Sequence, residues 1–176
     1  MTVIEIDNLT QTPKAFDARF EPSEFDFSDD DGLSLTSPAE VAGEASLKSG
    51  ELRLRGTVKT EAEVSCDRCL KAIPKSINQS FDAVFVPASE DIRQPSIELA
   101  AGDLSKGIYE GNVFDLRELA REQLLLSIDT RTLCREECKG LCPTCGVDLN
   151  LKACECKQDD VDPRWAALAQ IKNTLN

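Results

Sequence analysis

The chain has 176 residues, a formal net charge of −12, eight cysteines and no histidine. This length permits one domain, or one domain with a small appendage. The missing histidine excludes Ser-His-Asp and Cys-His catalysis, and the excess of acid disfavours non-specific nucleic-acid binding, which requires cationic contacts to phosphates.

Alternating hydrophobicity predicts several short β-strands in the first half of the chain. Strands are predicted within residues 1–10, 41–48, 51–60 and 76–86. The alternation is clearest around Leu52 and Leu54, and it continues to Val64. Residues 11–40 are rich in Asp, Ser and Pro, but their four phenylalanines predict that this stretch packs on something. Together these segments predict an antiparallel meander.

Two helices are predicted after the strands. The first covers residues 115–128, with Asp115 as its N-cap and Glu118 completing a capping box. The second begins at Asp162-Pro163, an N-cap followed by proline at the first helical position. Residues 88–114 lie between the last of these strands and the first helix, and they are predicted to form a loop with a short strand.

The predicted fold is α+β, with an antiparallel β-sheet or meander core, two main helices and a cysteine-rich zinc-binding C-terminal segment. Residues 1–133 form a mainly β domain in this prediction. Residues 134–176 form the cysteine-rich segment and the C-terminal helix, packed as one unit with the first part. Since the chain shows neither a secretory signal nor an apolar run long enough for a membrane span, it is predicted to be soluble and cytoplasmic.

The cysteines are the strongest chemical signal in the sequence. They form four pairs: Cys66-x2-Cys69, Cys134-x3-Cys138, Cys142-x2-Cys145 and Cys154-x-Cys156. In a reducing cytosol such pairs favour metal binding over disulfides. A C-x2-C turn directs two thiolates at one tetrahedral zinc ion, and a glycine after the second cysteine, as at Gly146, helps the turn. Buried free thiols and a redox dithiol are the alternatives.

Eight thiols fit two structural zinc sites of four thiolates each, and all-cysteine sites are normally closed to substrate. In the simplest partition the last four cysteines close one short loop. The first four then tie the sheet to the segment after the first helix. A single zinc ion with spare cysteines is an open alternative. Because the two cysteines of a C-x-C pair are poorly spaced to bind the same ion, Cys154 or Cys156 can also be absent from the ligand set.

The run C-K-G-L-C-P-T-C-G-V-D-L-N at 138–150, followed by Cys154-Glu155-Cys156 and D-P-R-W at 162–165, resembles the YceD family, also called large ribosomal RNA subunit accumulation protein. C-D-R-C-L at 66–70 resembles its first motif. The resemblance covers roughly residues 15–175. It implies a bacterial or plastid protein that supports the synthesis, processing or stability of 23S rRNA.

The leading functional hypothesis is a non-enzymatic factor in large ribosomal subunit assembly. Its acidic body suits a basic large-subunit ribosomal protein or a pre-ribosomal particle as partner. Direct rRNA contact is less favoured, although one local basic set could serve it or could simply be a solvated sheet face. That set is Arg53, Arg55, Lys59, Arg68, Lys71 and Lys75.

Two other functions compete with this one. A redox-switched zinc holdase chaperone would release its metal on oxidation of the thiolates. A dithiol oxidoreductase at Cys66 and Cys69 is the one enzymatic form considered, and it is disfavoured because predicted strands flank the pair where a β-α context is expected.

Overall fold

The computed structural model of the chain describes residues 2–28, 31–88 and 103–156. These residues contain eight strands and one α-helix. The strands are β1 (Val3–Glu5), β2 (Lys14–Phe20), β3 (Leu33–Leu35), β4 (Ala39–Lys48), β5 (Glu51–Ser65), β6 (Ala72–Pro87), β7 (Lys106–Tyr109) and β8 (Val113–Asp115). The helix is α1 (Leu116–Leu126).

One six-stranded sheet carries the fold, with the order β2-β4-β5-β6-β7 and with β3 paired to β5. Strands β1 and β8 form a separate antiparallel pair. The predicted antiparallel meander is confirmed for β4, β5 and β6. It is wrong for β1, which the prediction includes in the meander and which pairs with β8 instead. The sheet is also not wholly antiparallel, because β7 runs parallel to β6. The long stretch between Pro87 and Lys106 permits this, because a parallel neighbour requires a crossover of about a dozen residues or more.

Strand β5 lies at the centre of the sheet. Leu52, Leu54 and Val58 are fully buried on one face, as their alternation predicts. Each of these side chains is worth about 1.5–3 kcal/mol of hydrophobic burial. The strand extends to Ser65 and ends directly before Cys66, so the sheet fixes the position of the first cysteine pair.

Strand β2 is absent from the sequence prediction. It pairs antiparallel with β4, from Lys14 opposite Ala45 to Phe20 opposite Ala39. Ala18 and Phe20 are buried. The alternation of Phe16, Ala18 and Phe20 is the signal that identifies it, but the surrounding Asp, Ser and Pro residues obscure it.

The phenylalanines of the acidic segment do pack on the core, as predicted. The rings of Phe20 and Phe25 meet edge to face with centroids 5.8 Å apart, and Phe27 stacks on Phe25 at 5.4 Å. Arg121 of α1 lies over the Phe27 ring and pairs with Asp31. These contacts hold an acidic stretch of chain against the helix.

Helix α1 begins where the sequence predicts. The Asp115 carboxylate accepts a hydrogen bond from the backbone N–H of Arg117 at 2.8 Å, which satisfies one of the free amides at the helix start. Its buried face consists of Leu116, Leu119, Ala120, Gln123 and Leu124. The second predicted helix, from Asp162, lies outside the described residues.

Within residues 2–28, 31–88 and 103–156, no helix is long and apolar enough to cross a membrane. The division at residue 133 stays a prediction. In the described part of the chain, residues before and after that boundary contribute cysteines to one and the same four-cysteine group.

Candidate metal centres

The eight cysteines gather into two groups of four. Cluster A consists of Cys66, Cys69, Cys134 and Cys138, and cluster B of Cys142, Cys145, Cys154 and Cys156. Within each cluster the sulfur atoms all lie within 4.8 Å of one another. None of the eight forms a disulfide. This is the grouping of the simplest local partition, and both cysteines of the C-x-C pair belong to cluster B.

Each cluster contains one C-x2-C turn, and the two turns share one hydrogen-bond pattern. In cluster A, the N–H of Leu70 donates to the carbonyl of Cys66, and the N–H of Cys66 donates to Lys71, both at 2.9 Å. In cluster B, the N–H of Gly146 donates to Cys142 at 2.8 Å, and that of Cys142 donates to Val147 at 2.9 Å. Both turns therefore present their two sulfurs to the same side.

The residue after the second cysteine has a left-handed backbone in both turns. Gly146 has φ of 72° and Leu70 has φ of 58°. Glycine adopts this conformation freely, whereas a residue with a Cβ pays roughly 1–2 kcal/mol. Cluster A therefore keeps its turn in spite of a local steric penalty.

The remaining cysteines of cluster A come from the chain after α1, and polar contacts hold this segment against the β5–β6 turn and the first residues of β6. Asp67 and Thr132 exchange two hydrogen bonds, at 2.6 and 2.9 Å. Lys75 binds the Ser127 carbonyl at 3.1 Å and the Asp129 carboxylate at 2.8 Å. Cluster A thus joins the sheet to a segment more than sixty residues further along the chain.

The geometry of cluster A fits a tetrahedral zinc ion. Four thiolates at about 2.3 Å from zinc place their sulfurs roughly 3.8 Å apart. The sulfurs of Cys66 and Cys138 lie 3.9 Å apart, and those of Cys69 and Cys134 lie 3.7 Å apart. Cys66 and Cys138 are 0% and 1% exposed. The arrangement suits a closed structural site.

Backbone amides directed at sulfur favour thiolate in each C-x2-C turn. Burial of Cys66 acts to raise its pKa, but N–H donors led by Cys134, whose nitrogen lies 3.4 Å from the sulfur, lower the pKa to about 6. The amides of Cys145 and Thr144 lower the pKa of Cys142 to about 6, against the effect of burial.

Other thiols in the same clusters resist ionisation. Burial and the neighbouring sulfurs raise the pKa of Cys134 to about 12. Contacts with Cys145, together with burial, raise the pKa of Cys156 to about 12. Several thiolates cannot share so small a volume unless a cation balances them, so each group is chemically suited to a divalent metal ion.

The two clusters differ in exposure and in chain distance. Cluster B lies entirely within residues 142–156 and includes the exposed Cys145, whereas Cys142 is buried. Three of the four cysteines of cluster A are buried. Reagents in solution therefore reach cluster B more readily.

The sequence did not single out Asn150, which contacts one of the clustered cysteines. Its side-chain nitrogen lies 3.4 Å from the sulfur of Cys138, so a residue from the loop of cluster B contacts a cysteine of cluster A. The D-L-N run that ends in Asn150 indicates side-chain hydrogen bonds to the loop, because Asp and Asn side chains commonly hydrogen-bond nearby backbone groups.

Four of the six residues in the predicted basic set are engaged within the protein. Arg53 and Arg55 both pair with Asp82, at 2.8 and 2.9 Å, and Lys75 pairs with Asp129. The guanidinium of Arg68 donates to the Cys138 carbonyl at 2.6 Å. Hydrogen bonds from Arg53, then from Arg55, lower the pKa of Asp82 to about 2 against the opposing effect of burial.

The fold and the two sites together define the class of this protein. It is a β-sheet protein that carries two four-cysteine clusters, each able to hold a metal ion. The sequence model of the family described as Large ribosomal RNA subunit accumulation protein YceD matches residues 54–172. The chain belongs to this YceD family. The matched region contains both clusters, most of β5, all of β6, and the helix.

Relatives of the chain occur in bacteria and in plastids. The uncharacterized protein YlbN of Bacillus subtilis is 27% identical, with 97% of this chain and 94% of the relative covered. The chloroplastic large ribosomal RNA subunit accumulation protein YCED homolog 1 of Arabidopsis thaliana is 22% identical, with 78% of this chain covered. The match spans 50% of that plant protein. No solved structure matches the chain.

Proposed function

We propose that this protein is a non-enzymatic factor that supports accumulation of 23S rRNA during large ribosomal subunit assembly, with one structural zinc ion in each cluster. The observation that carries the proposal is the family match, which includes all eight clustered cysteines. The plant relative bears a name of the same kind, large ribosomal RNA subunit accumulation protein.

The donor atoms support zinc as the metal. Thiolate ligands favour soft and borderline ions such as zinc, and four thiolates fill its tetrahedral coordination. A catalytic zinc keeps one position for water or substrate, and a four-cysteine site leaves none. The metal would therefore cross-link the chain: Cys66 and Cys69 to the segment after α1 in cluster A, and the two ends of a short loop in cluster B.

The charge distribution supports a basic protein as the direct partner. The chain carries a net charge of −12. Arg53, Arg55 and Lys75 are held in ion pairs and so are poorly placed to neutralise phosphates. A basic large-subunit ribosomal protein, free or within a pre-ribosomal particle, matches this surface better than bare rRNA does.

The proposal is tested in a strain that lacks the gene. Re-expression of the wild-type chain should restore the ratio of 23S to 16S rRNA, and the Cys66→Ser variant should not. Leu151→Ser, at an exposed position in the loop of cluster B, is the matched control and should restore the ratio fully. Affinity purification of the wild-type chain should recover large-subunit proteins. Normal 23S levels in the deletion strain, with no ribosomal protein recovered, would refute the proposal.

The exposure of Cys145 favours one competing function, the redox-switched holdase. An accessible zinc thiolate is the part of such a site that peroxide attacks. Peroxide treatment of the zinc-loaded chain, followed by a light-scattering assay with an aggregating client protein, separates the two. Anti-aggregation activity that rises on zinc release supports the holdase, and unchanged activity eliminates it.

A further inference from the structure

We propose that Asn150 couples the two clusters: its side-chain amide holds Cys138 of cluster A, so that metal binding in cluster A depends on an ordered cluster B. The inference rests on the proposed function only in taking both clusters to bind zinc. Asn150 is a positioning residue here, because it contacts a ligand and is not itself one.

The amide of Asn150 is engaged with the cluster A segment at both of its polar atoms. The side-chain nitrogen donates to the Cys138 sulfur at 3.4 Å. The side-chain oxygen accepts from the backbone N–H of Lys139 and from the guanidinium of Arg135, each at 2.8 Å. Since the oxygen is fixed by two N–H donors, the nitrogen must face the sulfur.

Asn150 is in turn positioned by the loop of cluster B. The carboxylate of Asp148 accepts hydrogen bonds from the backbone and side-chain nitrogens of Asn150, at 2.8 and 2.7 Å. Asp148 forms a β-bridge with Leu141. The next residue, Leu149, donates to the Gly140 carbonyl at 2.9 Å. Asn150 is therefore held by Asp148 within the loop that cluster B closes, and that loop is anchored on Gly140 and Leu141.

A second contact runs along the same boundary. The N–H of Leu141 donates to the Arg68 carbonyl at 2.9 Å, in the C-x2-C turn of cluster A. Gly140 has φ of 76°, and a Cβ there would lie 2.8 Å from the Arg68 carbonyl oxygen. The close packing leaves little freedom between the two clusters, so disorder in one is transmitted to the other.

The coupling has an expected size. Groups that hydrogen-bond a metal ligand typically contribute about 10–100-fold to metal affinity. Loss of the Asn150 amide should therefore weaken zinc binding in cluster A by about tenfold. Because binding couplings are reciprocal, zinc in cluster A should strengthen binding in cluster B by the same factor as zinc in B strengthens A.

The test measures each cluster separately in the full chain. Cysteines are alkylated at a series of buffered free zinc concentrations, and mass spectrometry of peptides containing Cys138 or Cys154 reports the protection of cluster A or B. Asn150→Ala should move the half-protection point of Cys138 to about tenfold higher zinc. Asn150→Asp should move it further, because a carboxylate would then face the thiolate. Leu151→Ala, at the neighbouring exposed position, should leave it in place.

A double-mutant comparison isolates the coupling. Emptying cluster B with Cys154→Ser and Cys156→Ser should weaken cluster A when Asn150 is present and should add little when it is already Ala. Equal effects in both backgrounds, or an unchanged half-protection point in both Asn150 variants, would overturn the coupling while leaving zinc binding intact. Absence of any zinc protection in the wild-type chain would overturn the proposed function as well.

Discussion

Leu70 and Gly146 occupy the same place in two copies of one cysteine turn, and each donates its N–H to the carbonyl of the first cysteine of its pair. Both have a left-handed backbone, with φ of 58° and 72°. Leu70 is also 66% exposed, so burial of its side chain does not compensate for the strain. The two turns thus form a natural pair in which the same backbone carries different side chains.

Leu70→Gly should stabilise the zinc-loaded chain by up to about 1.5 kcal/mol. Removal of the left-handed strain stabilises the folded chain by roughly 1–2 kcal/mol. The extra freedom of glycine stabilises the unfolded chain and so offsets about 0.5–1 kcal/mol of this gain. Gly146→Ala is the reciprocal change and should destabilise, because a Cβ there meets open space and adds only backbone strain. Urea unfolding followed by far-UV circular dichroism measures both. A destabilised Leu70→Gly variant would show that this leucine has a packing role.

The two clusters should contribute unequally to the stability of the sheet. Cys66→Ser removes a cysteine of cluster A, which joins the end of β5 to the segment after α1, so it should lower the thermal midpoint of the zinc-loaded chain by many degrees. Cys154→Ser opens only a local loop and should cause a much smaller shift in excess zinc. Circular dichroism melts with and without a chelator measure both variants. Equal losses would mean that cluster B also supports the sheet.

Chemical modification should begin in cluster B. Cys145 is exposed, while Cys66, Cys138 and Cys142 are buried. With a limiting amount of a maleimide and the zinc-loaded chain, peptide mapping should find Cys145 labelled before any cysteine of cluster A. Cys145→Ser should slow the first labelling step markedly. Early labelling of Cys66 would contradict the burial seen here.

The Asp82 ion pairs should make stability depend on pH in the acid range. Hydrogen bonds from Arg53 and Arg55 lower the pKa of Asp82 from 3.8 to about 2 in the folded chain. Because the folded pKa is depressed, this stabilisation is present above pH 4 and is lost as the pH falls towards 2. Asp82→Asn should therefore be less stable than the wild type at pH 6, and the difference should shrink near pH 2. Glu63→Gln, which alters an exposed carboxylate on the neighbouring strand β5, is the control and should follow the wild-type profile. A difference between Asp82→Asn and wild type that is constant with pH would exclude the ion pairs as its cause.

Much of the sheet could be predicted because local pattern and tertiary structure agree there. Leu52, Leu54 and Val58 alternate along β5 and are all buried. Asp115 caps α1 with its own side chain, a signal confined to two or three residues. The parallel pairing of β7 with β6 could not be predicted, because it depends on a long crossover and not on any pattern within the four residues Lys106–Tyr109.

The grouping of the cysteines was predictable only in part. Spacing indicated the two C-x2-C turns and favoured a local cluster at residues 142–156. The left-handed Leu70 was not predictable, since leucine rarely adopts that conformation. The contact between Asn150 and Cys138 depends on how two loops pack, and no spacing rule in the sequence encodes it.

The chain distances within the two clusters set an order for refolding. Cys69 and Cys134 are separated by 65 residues and meet only when the sheet and α1 have formed. Cys145 and Cys154 are nine residues apart. Closing the longer loop costs about 2 kcal/mol more in chain entropy on the (3/2)RT ln n scale. A denatured chain returned to native conditions with zinc should therefore fill cluster B first, while the sheet is still assembling, and complete cluster A last.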